Sequence, residues 1–262
     1  MLGILAIAGL AASTSSAPAA ALEEVTFRSG ELELHGFLHR PEGQGPFPAV
    51  LYNHGSEQRP GSRPEIAAVF VAKGYVVFVP HRRGQGRSPG PYIMDQLGSG
   101  PWRGGRMVEQ QEVHLQDVIA ALGYLKQLAF VDPARIAVAG CSFGGIQTML
   151  AAERDLGLRA AVAFAPGAMT WSGVAEMRER LIAAAQKSKI PVFLLQAEND
   201  YNLAPSRTLA SELERAGKPH KMRIFPTYGA TQMDGHGGFC VKGGDIWGPP
   251  VLEFLAENMP AR

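Results

Sequence analysis

The sequence is poor in several features that define particular protein classes. Its 262 residues include only two cysteines, Cys141 and Cys240, which excludes a small fold held together by a disulfide framework. The formal net charge is +1, so charge gives no argument for a nucleic-acid or anionic-membrane partner. The apolar run at residues 2–12 is too short to span a bilayer. We therefore expect no nucleic-acid partner and no stable membrane insertion.

The N-terminal segment resembles a signal peptide. Residues 2–12 are apolar, and the small residues that follow contain Ala-x-Ala sites such as Ala17-Pro18-Ala19. The first basic residue is Arg28, so the segment lacks the usual positive start. We predict that residues 1–21 are a signal peptide and that the protein is exported to the periplasm or the medium. The alternative is a cytoplasmic protein with a disordered or wrongly assigned start.

Residues 22–262 are predicted to form one α/β domain, a length close to the upper limit for a single core. The opening segments 25–28 and 31–40 alternate around Ser29-Gly30, which is typical of an antiparallel hairpin. Short apolar strands are predicted at 49–53, 75–80, 136–139, 160–164, 191–195 and 222–225. Helices are predicted at 65–72, 107–127, 144–154, 174–186, 206–216 and 251–257, and glycine-rich loops at 84–105 and 229–244. This alternation predicts a mainly parallel sheet with helices on both faces and no large cap domain.

The stretch Gly140-Cys141-Ser142-Phe143-Gly144 fits the G-x-S-x-G nucleophile elbow. It lies between a predicted strand and a predicted helix, where the chain must turn sharply. Glycines on either side remove side chains that would collide across such a turn. The central residue, Ser142, should project above the carboxyl edge of the sheet, whereas Cys141 should point into the packed side. The alternative is an ordinary glycine-rich turn.

A serine nucleophile needs a general base, and an acid to orient that base. In hydrolases with this elbow, the chain order is Ser, acid, His. Only two histidines follow Ser142, namely His220 and His236. His220 lies between lysines and is interpreted as a surface residue. His236 lies in the predicted loop after the last strand, from which it could reach the sheet edge, and it is the predicted base.

The predicted acid is Asp200, which follows the strand predicted at 191–195. Its neighbour Glu198 is a weaker rival. Asp234 lies too close to His236 in the same predicted loop, and it is interpreted as a local turn former.

Two backbone N–H groups should stabilise an oxyanion. One is expected from Phe143, the residue after the nucleophile, at the start of a helix whose dipole assists. The other is expected from Ser56, in the loop that follows the strand at 49–53, with Glu57 as the alternative. His54 precedes Ser142 in the chain and is interpreted as a structural partner of this loop.

These motifs together resemble the α/β-hydrolase superfamily, near its dienelactone hydrolase and prolyl-oligopeptidase-like branches. The resemblance rests on NHGS, HRRGQGRS, DPARIAVAGCSFGG, AENDYNLAP and GHGGF, in that order, and it covers the chain from about Val25 onward. It implies the α/β-hydrolase fold and chemistry through an acyl-enzyme. Arg82 and Arg83, in the second motif, are then expected to fix a loop rather than to bind substrate.

One departure from the family pattern bears on the reaction. Dienelactone hydrolases carry cysteine at the centre of the elbow, where this chain has Ser142. We therefore expect a serine carboxylic ester hydrolase acting on small to medium apolar or aromatic esters. The alternatives are a peptidase or amidase, a lactone hydrolase and, least favoured, a non-catalytic binding protein.

Some feruloyl esterases and tannases, which have related sites, join the residues beside the catalytic serine and histidine by a disulfide. This resemblance suggests that Cys141 and Cys240 pair in an oxidising compartment. We favour the alternative, in which Cys141 is a small buried core residue and Cys240 is an unrelated thiol.

Aromatic residues in loops that should face the site suggest an apolar substrate pocket. The candidates are Tyr92, Trp102, Trp171 and Tyr201. Arg103 and Arg106 are weaker candidates for contacts to an anionic substrate. No metal-ligand spacing and no phosphate-binding loop is present in the sequence, so no cofactor and no metal is expected, and the oligomeric state is left open.

Overall fold

A computed structural model describes residues 21–100 and 103–260. The predicted signal peptide therefore lies outside the described residues except for Ala21, and so does Trp102. The strands are β1 (Ala21–Ser29), β2 (Leu32–Arg40), β3 (Phe47–Asn53), β4 (Val76–Pro80), β5 (Val131–Cys141), β6 (Ala160–Phe164), β7 (Val192–Ala197) and β8 (His220–Phe225). The helices are α1 (Pro64–Val71), α2 (Ile93–Gln96), α3 (Arg103–Gln127), α4 (Phe143–Ala152), α5 (Ala175–Gln186), α6 (Ala204–Arg215), α7 (Phe239–Lys242) and α8 (Gly244–Asn258).

The eight strands form one sheet in the order β1-β2-β4-β3-β5-β6-β7-β8. β1 and β2 form the predicted antiparallel hairpin, and β2 is also antiparallel to β4. The remaining neighbours are parallel. This is the α/β-hydrolase fold, as the sequence predicts. Asn53 pairs with Gly140, and Cys141 with Phe164, so β3, β5 and β6 end level with one another at one edge.

The core lies in two layers, one on each face of the sheet. Side chains alternate along the strands, so Leu51 belongs to one layer and Tyr52 to the other. The first layer packs against α3, α4, α5 and α6, and the second against α1, α7 and α8. The fully buried ring of Trp247 anchors the second layer and packs edge-on against Phe164, with the ring centroids 5.0 Å apart. None of the described helices is both long and apolar enough to cross a membrane.

The two predicted loops contain helical structure that the glycine pattern conceals. α2 lies inside the first, and α3 begins at Arg103 rather than at residue 107. In the second, a π-helical turn at Asp234–Gly238 leads directly into α7. The Asp234 carboxylate accepts hydrogen bonds from the backbone N–H groups of Ala230 and Thr231, as predicted for a turn former. Phe239 is buried against the sheet, so packing outweighs the low helix propensity of glycine here.

The start of α4 packs directly on the end of β3. A Cβ atom added to Gly144 would lie 1.8 Å from the carbonyl oxygen of Asn53 and 2.6 Å from that of His54. No rotamer change relieves a clash with backbone, so only glycine permits this close approach.

The substitution Gly144→Ala is therefore expected to lower the free energy of unfolding by about 3 kcal/mol or more, as in severe overpacking. The matched control is Gly123→Ala in α3, where an added Cβ meets nothing within 4 Å. This control should raise stability by about 0.5–1 kcal/mol through helix propensity. Urea unfolding of both variants measures the difference. Equal free energies of unfolding for Gly144→Ala and the wild type would show that the end of β3 and the start of α4 can move apart without cost.

Candidate functional site

Ser142 occupies the sharp turn between β5 and α4. Its backbone has φ 58° and ψ −117°, a conformation that is uncommon and costly for a residue with a side chain. Two hydrogen bonds hold the turn, from Ser142 N–H to Phe164 O and from Ile146 N–H to Ser142 O, each 3.0 Å long. The serine is half-buried and lines a cavity at the carboxyl edge of the sheet. This is the elbow geometry that the sequence predicts.

His236 and Asp200 form a buried pair beyond the ends of β7 and β8. His236 Nδ1 lies 2.9 Å from Asp200 Oδ1, and the two side chains are 5% and 0% exposed. A carboxylate only accepts, so Nδ1 carries the proton in this contact. Asp200 also accepts hydrogen bonds from Gln196 Nε2 at 3.0 Å and from the Tyr201 N–H at 2.6 Å. These contacts fix the carboxylate and therefore the imidazole.

The opposite ring nitrogen of His236 is left without a partner. Nε2 is buried and has no hydrogen-bond partner among the residues that the structure describes. In the neutral imidazole with its proton on Nδ1, Nε2 has a lone pair and can accept a proton. The Tyr201 ring packs edge-on against the imidazole, with the centroids 5.6 Å apart. The imidazole is thus held on one side by Asp200 and packed by Tyr201, while Nε2 stays free.

Asn199 fixes the segment that carries His236. Its Nδ2 donates to the carbonyl oxygens of Tyr228 and Thr231 at 2.9 and 2.8 Å, and its Oδ1 accepts from the Tyr228 N–H at 2.9 Å. Gly235 packs so closely that an added Cβ would lie 2.5 Å from Asn199 Oδ1. Sequence reasoning missed this residue, because a single asparagine beside the candidate acid carries no signal of contacts about thirty residues away.

A disulfide joins Cys141 to Cys240, with the Cα atoms 6.2 Å apart. The interpretation of two unrelated thiols is therefore wrong. Cys141 is buried, as expected, but α7 brings Cys240 against the end of β5. The bond ties the residue before Ser142 to a position four residues after His236. Only the resemblance to feruloyl esterases and tannases suggests this pairing, because the approach of the two cysteines depends on helix α7, which lies within the predicted loop.

Ser56 and Phe143 carry the two predicted oxyanion donors. Phe143 is the first residue of α4, so its N–H has no acceptor within the helix. The Ser56 N–H has no hydrogen-bond acceptor among the described residues. The Tyr92 hydroxyl donates to the Ser56 carbonyl and so holds the loop. Ser56, Phe143 and Ser142 all line the same cavity.

Arg82 and Arg83 of the HRRGQGRS motif have the loop-fixing role that the sequence predicts, and Arg82 lies behind the Ser56 loop. Arg82 Nη2 donates to the carbonyl oxygens of His54 and Gly55 at 2.9 and 2.7 Å. Arg83 forms a salt bridge with the fully buried Asp117 at 2.7 Å. Burial, and then the positive charge of Arg82, hold the pKa of His54 well below its usual value. His54 is therefore neutral and, as predicted, structural.

The cavity beside Ser142 has a volume of about 250 Å³. Its apolar wall consists of Met94, Met107, Phe143, Met169 and Val174, and its remaining lining consists of Ser56, Arg103, Ser142, Gly167, Thr170 and Gly173. Three of the nine methionines in the sequence thus surround one cavity.

Three of the four aromatic residues predicted for a pocket do not line this cavity. Tyr92 binds the Ser56 loop, Trp171 is buried in the first core layer, and Tyr201 packs on His236. Trp102 lies outside the described residues. The large rings in these loops hold the loops in place. From the sequence alone, this role cannot be distinguished from contact with a substrate. Arg106 has the same role, since it donates to the carbonyls of Leu97 and Ser99.

The rejected alternatives lie away from the site. His220 begins β8, at the opposite end of the strand from Phe225, and its ring contacts the Lys218 carbonyl at 3.0 Å. Glu198 is exposed, whereas the rival acid Asp200 is buried against the imidazole. No group of three or more potential metal ligands occurs in residues 21–100 and 103–260.

The fold and the site define an α/β hydrolase. A model of the dienelactone hydrolase family matches residues 34–236, and the chain belongs to this family, whose members are hydrolases. The quorum-quenching protein AidA of Acinetobacter baumannii is 28% identical over 183 residues, which cover 68% of this chain and 56% of AidA.

Two solved structures share the fold at low sequence identity. The acylaminoacyl peptidase of Pyrococcus horikoshii has a TM-score of 0.72 at 19% identity, over 94% of this chain and 43% of the peptidase. Est1E from Butyrivibrio proteoclasticus, solved with ferulic acid, has a TM-score of 0.68 at 19% identity, over 90% of this chain and 100% of Est1E. The match thus spans just over half of AidA and less than half of the peptidase.

The disulfide is expected to contribute to stability. Its cysteines are 99 residues apart in the chain, and closing so long a loop restricts the unfolded state. Reduction should lower the free energy of unfolding by about 2–4 kcal/mol. Urea unfolding with and without dithiothreitol measures this difference, and the Cys141→Ala/Cys240→Ala double variant should not respond to dithiothreitol. Two free thiols in the unreduced, denatured wild type would contradict the bond.

Proposed function

We propose that this protein is a serine hydrolase that cleaves carboxylic esters through an acyl-enzyme. The observation that carries the proposal is the buried His236–Asp200 pair, in which His236 Nε2 is free of hydrogen bonds. The Cys141–Cys240 disulfide ties the segment that carries His236 to the residue before Ser142. In this proposal, Ser142 is the nucleophile, His236 the base and Asp200 the orienting acid. This is the general pattern of nucleophilic catalysis by serine.

In the proposed reaction, Ser142 Oγ attacks the ester carbonyl while His236 Nε2 accepts the hydroxyl proton. The carbonyl π electrons move to the oxygen, which the N–H groups of Ser56 and Phe143 stabilise. When the tetrahedral intermediate collapses, the imidazolium gives its proton to the leaving alcohol and an acyl-enzyme remains. Water, activated by His236, then releases the acid. Asp200 stays ionised throughout and stabilises the imidazolium.

The cavity supports a substrate with an apolar or aromatic group of moderate size. A dry apolar cavity of about 150 Å³ binds benzene, and the cavity beside Ser142 is larger, at about 250 Å³. Its wall of methionine, phenylalanine and valine side chains offers no acidic group. Est1E, which has the same fold, was solved with ferulic acid, an aromatic acid. We therefore propose small to medium apolar or aromatic esters as substrates.

A peptidase or amidase is the second candidate, because the same residues could cleave amides and the acylaminoacyl peptidase shares the fold. Lactone hydrolysis is a further candidate because of the family to which the chain belongs. Ser142 in place of the cysteine of dienelactone hydrolases favours the ester.

The disulfide supports the prediction of export. Disulfides persist mainly in oxidising compartments such as the periplasm or the extracellular medium. We propose that the protein acts there, and that residues 1–21 direct it to that compartment.

Ser142→Ala is expected to lower kcat/KM for p-nitrophenyl esters at least about 10⁴-fold, because the acyl-enzyme can no longer form. A fluorophosphonate should label the wild type at Ser142 and leave this variant unlabelled. The control is Ser211→Ala, at an exposed serine on α6 that does not line the cavity; it should keep full activity. Full activity of Ser142→Ala would disprove the mechanism, and faster cleavage of p-nitroanilides than of matched esters would favour the peptidase.

Met169→Trp is expected to narrow the cavity, because Met169 lines it and is 57% exposed at its rim. The kcat/KM for hexanoyl or cinnamoyl esters should fall about tenfold, roughly the contribution of one or two methylene groups to specificity, while acetyl esters change little. Met222→Trp, on the exposed edge strand β8, is the matched control. An equal loss of kcat/KM for acetyl and hexanoyl esters would show that the acyl group does not bind in this cavity.

A further inference from the structure

Arg82 is a buried cation directly behind the Ser56 loop. It is 2% exposed, and it is the only arginine that is fully buried among the described residues. From the segment after β4, its Nη2 reaches the carbonyl oxygens of His54 and Gly55 at 2.9 and 2.7 Å. Gln85 Nε2 also approaches the Gly55 carbonyl, at 3.4 Å. The Gly55 carbonyl is therefore held by more than one donor.

The planarity of the peptide bond transmits this contact to the candidate site. The Gly55–Ser56 peptide is trans, so its C=O and its N–H point in opposite directions. With the carbonyl oxygen turned toward Arg82, the Ser56 N–H points away from the guanidinium. Ser56 lines the cavity that Ser142 also lines. A donor bound to the carbonyl also polarises the peptide and makes its N–H a stronger donor.

The charge of Arg82 is not cancelled by a carboxylate in contact with it. No described carboxylate forms a salt bridge with this guanidinium. Asp117 is engaged by Arg83, and Glu57 by Arg63. Burial lowers the pKa of Arg82 to about 10, so it remains protonated at neutral pH. Burial lowers the pKa of both His54 and His81, so these neighbours are neutral at that pH. In a buried environment of low dielectric constant, the charge of Arg82 acts strongly on a second charge nearby.

We propose that Arg82 is a positioning residue for catalysis: it orients and polarises the Gly55–Ser56 peptide so that the Ser56 N–H stabilises the oxyanion. This proposal rests on the proposed acyl transfer through Ser142. It differs from a merely structural role for Arg82, because an oxyanion exists in the transition state and not in the bound ester. Arg82 should therefore affect kcat more than KM.

The test compares Arg82→Met, Arg82→Gln and Arg82→Lys with the wild type. The control is Arg135→Met, which removes an arginine that donates to the Met259 carbonyl at 3.2 Å, at the opposite end of β5 from Ser142. Each variant is first checked for folding by circular dichroism and thermal unfolding. kcat and KM are then measured on an aryl ester. The affinity for an aryl trifluoromethyl ketone is measured as well, because Ser142 Oγ adds to its carbonyl and creates a stable oxyanion.

In the uncharged variants we expect kcat/KM to fall about 10–100-fold, somewhat below the loss of a direct oxyanion donor. KM should stay within about threefold of the wild-type value. The affinity for the ketone should fall in parallel with kcat/KM, and Arg82→Lys, which keeps the charge, should recover part of both. Arg135→Met should keep the wild-type values.

Two results would overturn the proposal. One is kcat/KM and ketone affinity in Arg82→Met and Arg82→Gln that match those of Arg135→Met. The other is a loss expressed in KM and thermal stability with the ketone affinity unchanged, which is the result of a structural role. Activity that survives Ser142→Ala would instead reject the proposed function itself.

A measurement on the wild type decides the question if the uncharged variants do not fold. The buried guanidinium protons of Arg82 should exchange slowly with solvent, which distinguishes their signals in ¹⁵N-arginine-labelled protein. These signals and the Ser56 amide signal should shift together when the ketone adduct forms. An unchanged guanidinium signal on adduct formation would overturn the proposal.

Discussion

The close approach of α4 to the end of β3 is the contact on which the site depends. Gly144 lies against the carbonyls of Asn53 and His54, at a separation that no Cβ permits. This contact sets the distance between the turn that presents Ser142 and the loop that presents Ser56. Because the strands β3 and β5 are paired up to Asn53 and Gly140, neither segment can shift without breaking the sheet. The two candidate functions, attack and oxyanion stabilisation, therefore share one rigid support.

Three different kinds of contact hold the segments that lie outside this support. A covalent bond joins Cys240 to Cys141. A charge-assisted hydrogen bond joins His236 to Asp200. The buried guanidinium of Arg82, in the segment after β4, donates a hydrogen bond to the Gly55 carbonyl. Each bond holds a segment that backbone pairing does not reach, and side-chain contacts such as those of Asn199 complete the arrangement. The parts of the site that lie outside the sheet are thus fixed by side chains, and the parts within it by the backbone.

The features that could be predicted from the sequence are those with a local signal. The elbow around Ser142 and the individual strands and helices each leave a pattern within about ten residues, and the chain order of Asp200 and His236 follows from the order typical of this elbow. The methionine wall of the cavity leaves none, because it joins segments distant in the chain. The Cys141–Cys240 pairing has no local pattern either and is suggested only by the resemblance to feruloyl esterases and tannases. The helical turn around Gly235 was missed for another reason: its stability comes from burial of its neighbours and not from its own residues. Tyr92, Trp171 and Tyr201 do not line the cavity, and the sequence cannot show this because a ring can fix a loop or contact a ligand with the same composition.

The three methionines around the cavity have a consequence for selectivity. Met94, Met107 and Met169 have unbranched, polarisable side chains with several rotatable bonds, so the wall of the cavity can adapt to the shape of what enters it. An adaptable wall discriminates poorly between acyl groups of similar size. Discrimination then falls to the rigid part of the site, where the geometry of Ser142 and its hydrogen-bond donors permits little variation. The flexible methionine wall and the rigid turn around Ser142 therefore differ in how far each can adjust to a bound molecule.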